Sequence, residues 1–393
     1  MRKERIHSID IIRGFAILGI AFANILPLSG PHLYESSPSS IWMDPIDKLV
    51  ESILFIFAEG NFYSLFSILF GFSAIIFMEN AEDKGYNPYY LFSKRLWILF
   101  AIGFLHAFFI FYGDILMIYA VIGLFLLPVY KVPGRVMMLL IGIFMIPMLF
   151  ELIKILLFDY QIAAVDYNLL QNVIINYQTG GRIALLQNTV DWLTIYSIEN
   201  LPSLFCSIYP MFLLGMILGK NKALITNIKG IHKLMWVISG SIGIAIKTLA
   251  IIYSDSYFLI RLSEIFGNIS MSIFYGLSIL LLLKKTGKHF KLIANIGKTS
   301  MSNYLFQTTC CFFLFKVFKL YAQVSPGHLV FLSIALIFIQ ILLSNWWLKK
   351  HKQGPIESIW RKLTYYKRTP SYNRVLISPK MNLDNKSNIY YTA

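Results

Sequence analysis

The stretch KRLWILFAIGFLHAFFIFYGDILMIYAVIGLFLLPVY, residues 94–130, decides the fold class of this chain. It consists of two apolar runs on either side of a tight Gly113-Asp114 turn. Each run has about the length needed to cross the roughly 30 Å hydrocarbon core of a bilayer. The stretch therefore predicts a transmembrane helical hairpin, and similar apolar runs recur from end to end of the chain.

The composition excludes an ordinary soluble protein. Of the 393 residues, 57% are hydrophobic and only 14% are charged, which is typical of a helical membrane protein with many spans. The formal net charge of +15 is explained by basic loops at the inner membrane face, and we do not expect nucleic acid as a partner. Three cysteines lie within apolar runs and no metal-binding motif occurs, so neither a disulfide framework nor a metal site is expected.

The pattern predicts an all-α, polytopic bundle of about ten transmembrane helices. The 94–130 hairpin supplies two spans, and the others are expected at 11–29, 61–78, 136–157, 201–219, 234–253, 260–283, 300–320 and 328–348. Residues 46–58 are too short to cross, so they are expected to form an amphipathic helix at the membrane surface. The first span is expected to stay uncleaved, because Asp10 and Arg13 interrupt the approach to its apolar run.

The distribution of lysine and arginine predicts the orientation of the bundle. Basic loops recur at 1–10, 79–95, 131–135, 220–233, 284–298 and from 349 onward, and the loops between them contain almost no basic residue. The positive-inside rule therefore predicts that both termini are cytoplasmic. The expected units are an N-terminal membrane half (1–157), a long outer loop (158–200), a C-terminal membrane half (201–365) and a flexible cytoplasmic tail (366–393).

Polar residues inside the spans are candidate functional residues, because an ionisable group there costs roughly 3 kcal/mol on insertion scales. Arg13 and Asn24 are eleven residues apart on the first span, and Asp10 can pair with Arg13 at the i,i+3 spacing. Arg95 and His106 repeat the eleven-residue spacing on the third span. Eleven residues are about three helical turns, so each pair shares one helix face. If the two faces meet, a polar track crosses the bundle.

Two acidic residues are candidates to orient His106 as a general base. Asp114 follows the hairpin turn, and Glu59 stands at the mouth of the second span, both on the side where His106 is expected. A carboxylate beside an imidazole fixes its orientation and its proton. Structural alternatives stay open, because Asp114 can cap a helix, His106 can be satisfied in helix packing, and the arginines can anchor helix ends to lipid phosphates.

The span at 300–320 carries two amides, Asn303 and Gln307, on one face. Amides inside a membrane often join helices through hydrogen bonds worth about 1 kcal/mol each. They can equally line a substrate pocket, so both are candidate substrate-binding residues.

Five ordered stretches resemble the YeiB-like family of bacterial inner-membrane proteins, whose C-terminal domain has no known function. The stretches are IDIIRGFAILGIAFANI at 9–25, EGNFYSLFSILFG at 59–71, KRLWILFAIGFLHAFFIFYGDILMIYA at 94–120, IGKTSMSNYLFQ at 296–307 and GPIESIWRKLTY at 354–365. That family is distantly similar to the transmembrane acyltransferases, which move an acyl group, usually from cytoplasmic acyl-CoA, onto sugars or envelope polymers. The resemblance implies a bacterial inner-membrane location.

The first helix of those acyltransferases often reads D-x-x-R-G, with a histidine ten residues after the glycine. Asp10, Arg13 and Gly14 match this motif, but Asn24 occupies the histidine position. An amide cannot act as a general base at neutral pH. The resemblance therefore implies either that His106 or His32 is the base, or that this branch no longer transfers acyl groups.

Three functions fit these residues. The first is transfer of an acyl group from acyl-CoA to a sugar, polymer or lipid hydroxyl of the envelope. Arg13 and Arg95 would then hold the anionic part of the donor, and His106 would deprotonate the acceptor. Asn24 and Gln307 would donate hydrogen bonds to the developing oxyanion.

The second function is transport of a small molecule or a lipid-linked substrate, and the third is that of a non-catalytic membrane partner or sensor. The polar track suits a transporter as well, although inverted repeats are not evident in the sequence. No bound cofactor is expected under any of the three, acyl-CoA being a substrate, and the lipid bilayer is a partner in all of them.

Overall fold

The computed structural model describes residues 7–35, 41–158, 165–287 and 289–366. These residues form helices and connecting turns, without strands, which confirms the predicted all-α class. Eight helical segments within the described ranges are long and apolar enough to cross a membrane, so the chain is a multi-pass membrane protein. The predicted cytoplasmic tail lies outside the described residues from 367 onward.

The helices of the N-terminal half and of the 158–200 segment are α1 (His7–Ser29), α2 (Pro45–Phe57), α3 (Asn61–Asp83), α4 (Pro88–Phe109), α5 (Leu116–Leu124), α6 (Gly134–Phe158), α7 (Tyr167–Thr179) and α8 (Gly181–Ile195). Those of the C-terminal half are α9 (Leu201–Lys220), α10 (Ala223–Thr226), α11 (Gly230–Ile252), α12 (Tyr257–Leu262), α13 (Asn268–Thr286), α14 (Lys291–Lys298), α15 (Ser300–Phe312), α16 (Pro326–Trp347) and α17 (Pro355–Tyr365). A π-helical stretch, Ser263–Gly267, joins α12 to α13, and a second, Phe313–Val317, follows α15.

Two of the ten expected spans are not among the eight helical segments that are long and apolar enough to cross a membrane. Helix α5 has nine residues, which is about 14 Å, and turns follow it from Phe125 to Tyr130. Helix α15 has 13 residues before its π-helical continuation. By length and composition, the described residues therefore contain eight candidate spans where ten were expected.

The stretch expected to be a short amphipathic helix forms α2 and leads directly into α3. The Asp44 carboxylate starts α2 by accepting a hydrogen bond from the Ile46 amide at 2.8 Å. Gly60 separates the two helices with a φ of +71°, a left-handed conformation that glycine adopts without steric cost. This turn decides where the neighbouring Glu59 side chain lies.

Paired glycines bring α1 and α14 into backbone contact. A Cβ added to Gly14 would lie 2.0 Å from the Ile293 carbonyl oxygen, and one added to Gly297 would lie 1.9 Å from that of Asp10. Only glycine permits such an approach, as in other close membrane helix pairs. The contact places Arg13 and Lys298, the neighbours of the two glycines, beside the same cavity.

The 158–200 segment folds back onto the bundle through α8. The Asn188 side-chain nitrogen donates to the carbonyl oxygens of Ala107 and Phe108 at 2.8 and 3.0 Å, at the end of α4. Its oxygen accepts from the Tyr112 amide at 3.1 Å and from Lys316 Nζ at 2.7 Å. Carbonyls at a helix end need such partners when they are buried. The segment is therefore an integral part of the fold.

Candidate functional site

A cavity of about 330 Å³ lies between α1, α3, α4, α5, α14, α15 and α17. We term it the cationic cavity, because the charged residues that line it, among those the structure describes, are Arg13, Arg95, Lys298, Arg361 and one acid, Glu357. Four positive side chains against one carboxylate favour an anionic ligand. The volume falls within the range of about 300–1,000 Å³ that is typical of small-molecule sites.

The rest of the lining is mostly apolar. It includes Ile17 and Ile20 of α1, Phe66, Leu69 and Phe70 of α3, Leu96 and Leu99 of α4, and Leu116 of α5. Burying an alkyl chain against such walls contributes about 0.8 kcal/mol per CH₂ group. The cavity can therefore hold an amphiphile, with its anionic part beside the arginines and its chain along these residues.

Arg13 reaches the cavity from the first turns of α1. Its Nη2 donates to the Ser73 hydroxyl at 2.9 Å, and its Nη1 lies 3.4 Å from Asp10 Oδ1. Asp10 is buried behind Arg13 and does not line the cavity. The predicted i,i+3 pair is present, and its geometry makes Asp10 a residue that positions Arg13 rather than one that contacts a ligand.

Arg95 is held by aromatic rings. Its guanidinium carbon lies 3.5 Å from the centroid of the Trp360 ring and 4.8 Å from that of Phe77. The Trp360 Nε1 also donates to the Arg95 carbonyl oxygen at 2.9 Å. A guanidinium stacked on aromatic faces is fixed in orientation while its N–H groups keep their donor capacity. Arg95 is therefore preorganised to bind an anion.

Helix α17 closes the cavity and is attached through Glu357. The Glu357 carboxylate accepts hydrogen bonds from the amides of Met301 and Ser302 at 2.8 and 3.1 Å, and from the Ser302 hydroxyl. These donors belong to the first turn of α15, where a negative charge is stabilised by the helix dipole. Because this bonding offsets the charge of Glu357, the balance at the cavity stays positive.

His106 forms a buried hydrogen-bonded chain with residues of the hairpin turn and of α15. Its Nδ1 lies 2.8 Å from Asp114 Oδ1, and its Nε2 lies 2.7 Å from the Thr308 hydroxyl. The other Asp114 oxygen accepts from the Met117 amide at 3.0 Å. An ionised Asp114 requires a proton on Nδ1, and a neutral imidazole in that tautomer accepts a hydrogen bond at Nε2. The order carboxylate, imidazole, hydroxyl can activate a hydroxyl or carry a proton.

Tyr304 connects this chain to the cationic cavity. Its ring lines the cavity, and its hydroxyl donates to Asp114 Oδ1 at 3.2 Å. His106 itself is 3% exposed and is not part of the cavity wall. Tyr304 therefore offers a path for a proton between the cavity and Asp114.

Of the two acids proposed to orient His106, the structure brings Asp114 to it and not Glu59. Glu59 lines a different cavity together with Lys247, because the Gly60 turn directs it towards α11. Asn24 is half-buried and lines neither of these cavities. Of the four residues expected to form the polar track on α1 and α4, Arg13 and Arg95 line the cationic cavity, whereas Asn24 and His106 do not.

His32, the other candidate base, lies beyond the end of α1 and outside the cationic cavity. Burial lowers the pKa of His32 to about 4. The imidazole is therefore neutral at physiological pH, but it does not line the cationic cavity.

Asn303 and Gln307 join helices and do not line the cationic cavity. Asn303 Nδ2 donates to the hydroxyls of Thr299 and Ser344 at 2.9 Å each. Gln307 Nε2 donates to the Ile17 carbonyl oxygen at 3.0 Å and to Gln340 Oε1 at 2.8 Å. Their amide N–H groups thus donate hydrogen bonds within and between α1, α15 and α16, and not to the cavity where the substrate was expected.

The residues that sequence reasoning did not single out come from two stretches near the C-terminus. Lys298, Trp360 and Arg361 lie in basic segments that read as ordinary cytoplasmic loops, and Thr308 carries no charge. The only signal for the first three was that 296–307 and 354–365 carry the resemblance described above.

Comparison with known proteins agrees with that resemblance. Residues 218–367 match a family model described as a protein of unknown function (DUF418). The chain is 25% identical over 396 residues to the uncharacterized protein YeiB of Escherichia coli K12, covering 94% of this chain and 99% of YeiB. It is 30% identical over 390 residues to the uncharacterized protein YxaH of Bacillus subtilis 168, covering 93% of this chain and 95% of YxaH.

The chain belongs to the YeiB-like family. A further YeiB-like relative is an uncharacterized 39.9 kDa protein from Bacillus acidopullulyticus, 29% identical over 377 residues, covering 93% of this chain and 96% of the relative. No solved structure matches this YeiB-like chain.

The five stretches that carry the YeiB-like resemblance meet at the cationic cavity. Each contributes at least three lining residues, which include Arg13 from 9–25, Phe66 from 59–71, Arg95 from 94–120, Lys298 from 296–307 and Trp360 from 354–365. They lie far apart in the sequence and adjoin one another only in the folded bundle. The cavity is therefore the candidate functional site of this YeiB-like protein.

Proposed function

We propose that this protein transfers an acyl group from acyl-CoA, bound in the cationic cavity, to a hydroxyl group of an envelope sugar, polymer or lipid. The observation that carries the proposal is the pairing, in one cavity, of four cationic side chains with long apolar walls. The CoA part of the donor is rich in phosphate, which arginine binds well. The acyl part is apolar and matches the remaining lining.

The proposed location is the bacterial inner membrane, with both termini in the cytoplasm. The loops rich in lysine and arginine support this orientation. It turns the Arg13 end of the bundle towards the cytoplasm, where acyl-CoA is available. The Asp114 end then lies towards the outer half, where an envelope acceptor is found.

In the proposed reaction, the acceptor oxygen attacks the thioester carbonyl carbon, and the carbon–sulfur bond breaks to release the CoA thiolate. The acceptor proton moves to the Tyr304 oxygen as the Tyr304 proton moves to Asp114. His106 holds Asp114 in place through the Nδ1 hydrogen bond. The proton then returns through Tyr304 to the thiolate, so that free CoA and an acyl ester are the products.

The test is calorimetric binding of acetyl-CoA and palmitoyl-CoA to the full chain in lipid nanodiscs. We expect saturable binding that weakens at least about tenfold in Arg13→Ala and in Arg95→Ala, since each loses a charge-assisted hydrogen bond. Arg135→Ala is the matched control, because Arg135 is exposed at the start of α6 and does not line the cavity. Absence of saturable binding, or equal weakening in the control, would contradict the proposal.

Transport of an anionic amphiphile is the second candidate. It is supported by the cationic and apolar lining of the same cavity, which suits an anionic amphiphile whether or not that molecule reacts. A transporter would release acyl-CoA or a similar amphiphile intact on the other side of the membrane. Consumption of bound acyl-CoA, measured as free CoA thiol, distinguishes transfer from transport.

A further inference from the structure

A second cavity, of about 400 Å³, lies between α3, α6, α9, α11 and the segment from α12 to α13. We term it the serine cavity after four of its lining residues, Ser64, Ser203, Ser207 and Ser263. Its volume, like that of the cationic cavity, is sufficient for a small molecule. The proposed donor site uses none of its residues.

The charged side chains that line the serine cavity, among the described residues, are two cations, Lys247 and Arg261, and two acids, Glu59 and Glu264. Lys247 is 1% exposed, and its Nζ donates to the carbonyl oxygens of Phe55 and Glu59 at 2.8 Å each. Arg261 Nη2 lies 2.8 Å from Glu151 Oε1, and Arg261 also pairs with Glu264. Each cation thus has nearby acceptors that offset it, so the wall does not select for a charged ligand.

One polar atom at this cavity, the Asn268 side-chain oxygen, is buried and lacks a hydrogen-bond partner among the described residues. The Tyr63 hydroxyl is also buried, and Ser207 is its hydrogen-bonding neighbour. Asn268 is packed against Gly60 so closely that a Cβ there would lie 2.1 Å from its nitrogen. Buried polar atoms without partners cost roughly 1–3 kcal/mol each, so a ligand that bonds to them is favoured.

We propose that the serine cavity binds a neutral, polyhydroxylated molecule of the sugar class. Serine and tyrosine hydroxyls both donate and accept, and the Asn268 oxygen accepts. Sugar hydroxyls also do both, so they can satisfy this mixed wall without bringing a charge. The Phe55 and Tyr63 rings supply apolar surface for the C–H face of a sugar ring.

The serine cavity lies in line with the cationic cavity along α3. Residues up to Ser64 line the first, and residues from Phe66 onward line the second. Two residues correspond to about 3 Å of helix rise. Between the cavities, the Tyr119 hydroxyl bonds to Ser67 Oγ at 2.6 Å and to the Tyr63 carbonyl oxygen at 2.9 Å.

This alignment makes the bound sugar the acceptor for the acyl group, a role that rests on the proposed function. Binding of a sugar in the serine cavity does not itself require that acyl transfer takes place.

The test is saturation-transfer difference NMR of methyl β-D-glucopyranoside with the full chain in nanodiscs, without acyl-CoA. We expect a saturable signal whose affinity falls about tenfold in Asn268→Leu and a few-fold in Tyr63→Phe, since each removes a hydrogen-bonding group. Asn168→Leu is the matched control, because Asn168 is exposed on α7. Tyr63→Phe removes a single oxygen and decides the matter if Asn268→Leu does not fold.

The proposal is overturned if the glucoside gives no saturable signal or if neither variant weakens glucoside binding. It is also overturned if glycine, a charged small molecule, displaces the glucoside and binds more tightly than the glucoside does. Because acyl-CoA is absent, these results are independent of donor binding. Loss of acyl-CoA binding with glucoside binding intact would refute the donor site alone, and the reverse result would refute the serine cavity alone.

Discussion

Substitution of Gly297 by alanine tests the link between helix packing and the cationic cavity. The added Cβ would lie 1.9 Å from the Asp10 carbonyl oxygen, and carbon atoms of this type are not found closer than 3.0 Å. Helices α1 and α14 must therefore separate by at least about 3.0 − 1.9 = 1.1 Å. Overpacking of this kind costs about 1–3 kcal/mol.

The separation moves Arg13 and Lys298 apart, because they are attached to the two helices that the glycines hold together. A displacement of about 1 Å at a binding constellation can cost up to about a hundredfold. We expect the affinity of Gly297→Ala for acetyl-CoA, measured by calorimetry in nanodiscs, to fall at least about tenfold while the protein stays inserted.

Gly142→Ala is the matched control, since Gly142 lies within α6 and a Cβ there would meet nothing within 4 Å. The control should bind acetyl-CoA as the wild type does. Wild-type affinity in Gly297→Ala would refute the idea that this backbone contact positions the cationic groups.

Three further outcomes are expected. Asn188→Leu removes four hydrogen bonds near the end of α4. It should lower the free energy of unfolding by about 2–4 kcal/mol, which is measured as a lower melting temperature. Asn168→Leu, at an exposed position, is the control and should leave the melting temperature unchanged. Glu357→Gln weakens the attachment of α17 to α15, so trypsin should cleave at Arg361 several-fold faster, and unchanged cleavage would show that the carboxylate does not hold α17. The pKa of His32 is lowered from 6.5 to about 4 by burial, so the unfolded chain binds the extra proton and stability should fall as the pH drops from 6.5 towards 4. In His32→Leu this part of the pH dependence of the melting temperature should disappear, and a wild-type slope in the variant would contradict the account.

The apolar runs and their basic loops were sufficient to predict a helical membrane bundle. The hairpin turn also predicted that Asp114 lies near His106, because the two residues are only eight positions apart on either side of that turn. The eleven-residue spacing placed Arg95 and His106 on one helix, but it carried no information about which helix faces them. That information is tertiary, since Arg95 meets Trp360 of α17 and His106 meets Thr308 of α15, each more than 200 residues further along the chain.

Two expectations failed for local reasons that hydropathy does not record. The run after the hairpin is long and apolar, yet α5 ends at Leu124. Glu59 was expected beside His106 because it stands at the mouth of the second span. The left-handed Gly60 instead directs it to Lys247 and the serine cavity. The positions of Trp360 and Arg361 over the cavity likewise depend on Glu357 binding to the start of α15, a contact 55 residues away in sequence.

The central claim is that the cationic cavity holds an acyl donor whose acyl group is transferred with the help of Tyr304. The most direct measurement uses inside-out membrane vesicles, whose cytoplasmic face is accessible, with acetyl-CoA labelled in the acetyl group. The account predicts that label enters envelope material and that free CoA thiol appears in equal amount. Tyr304→Phe, which keeps the ring and removes the proton path, should reduce both by at least about a hundredfold while leaving acetyl-CoA binding intact. Undiminished transfer in Tyr304→Phe, or no label transfer by the wild-type protein, would contradict the account.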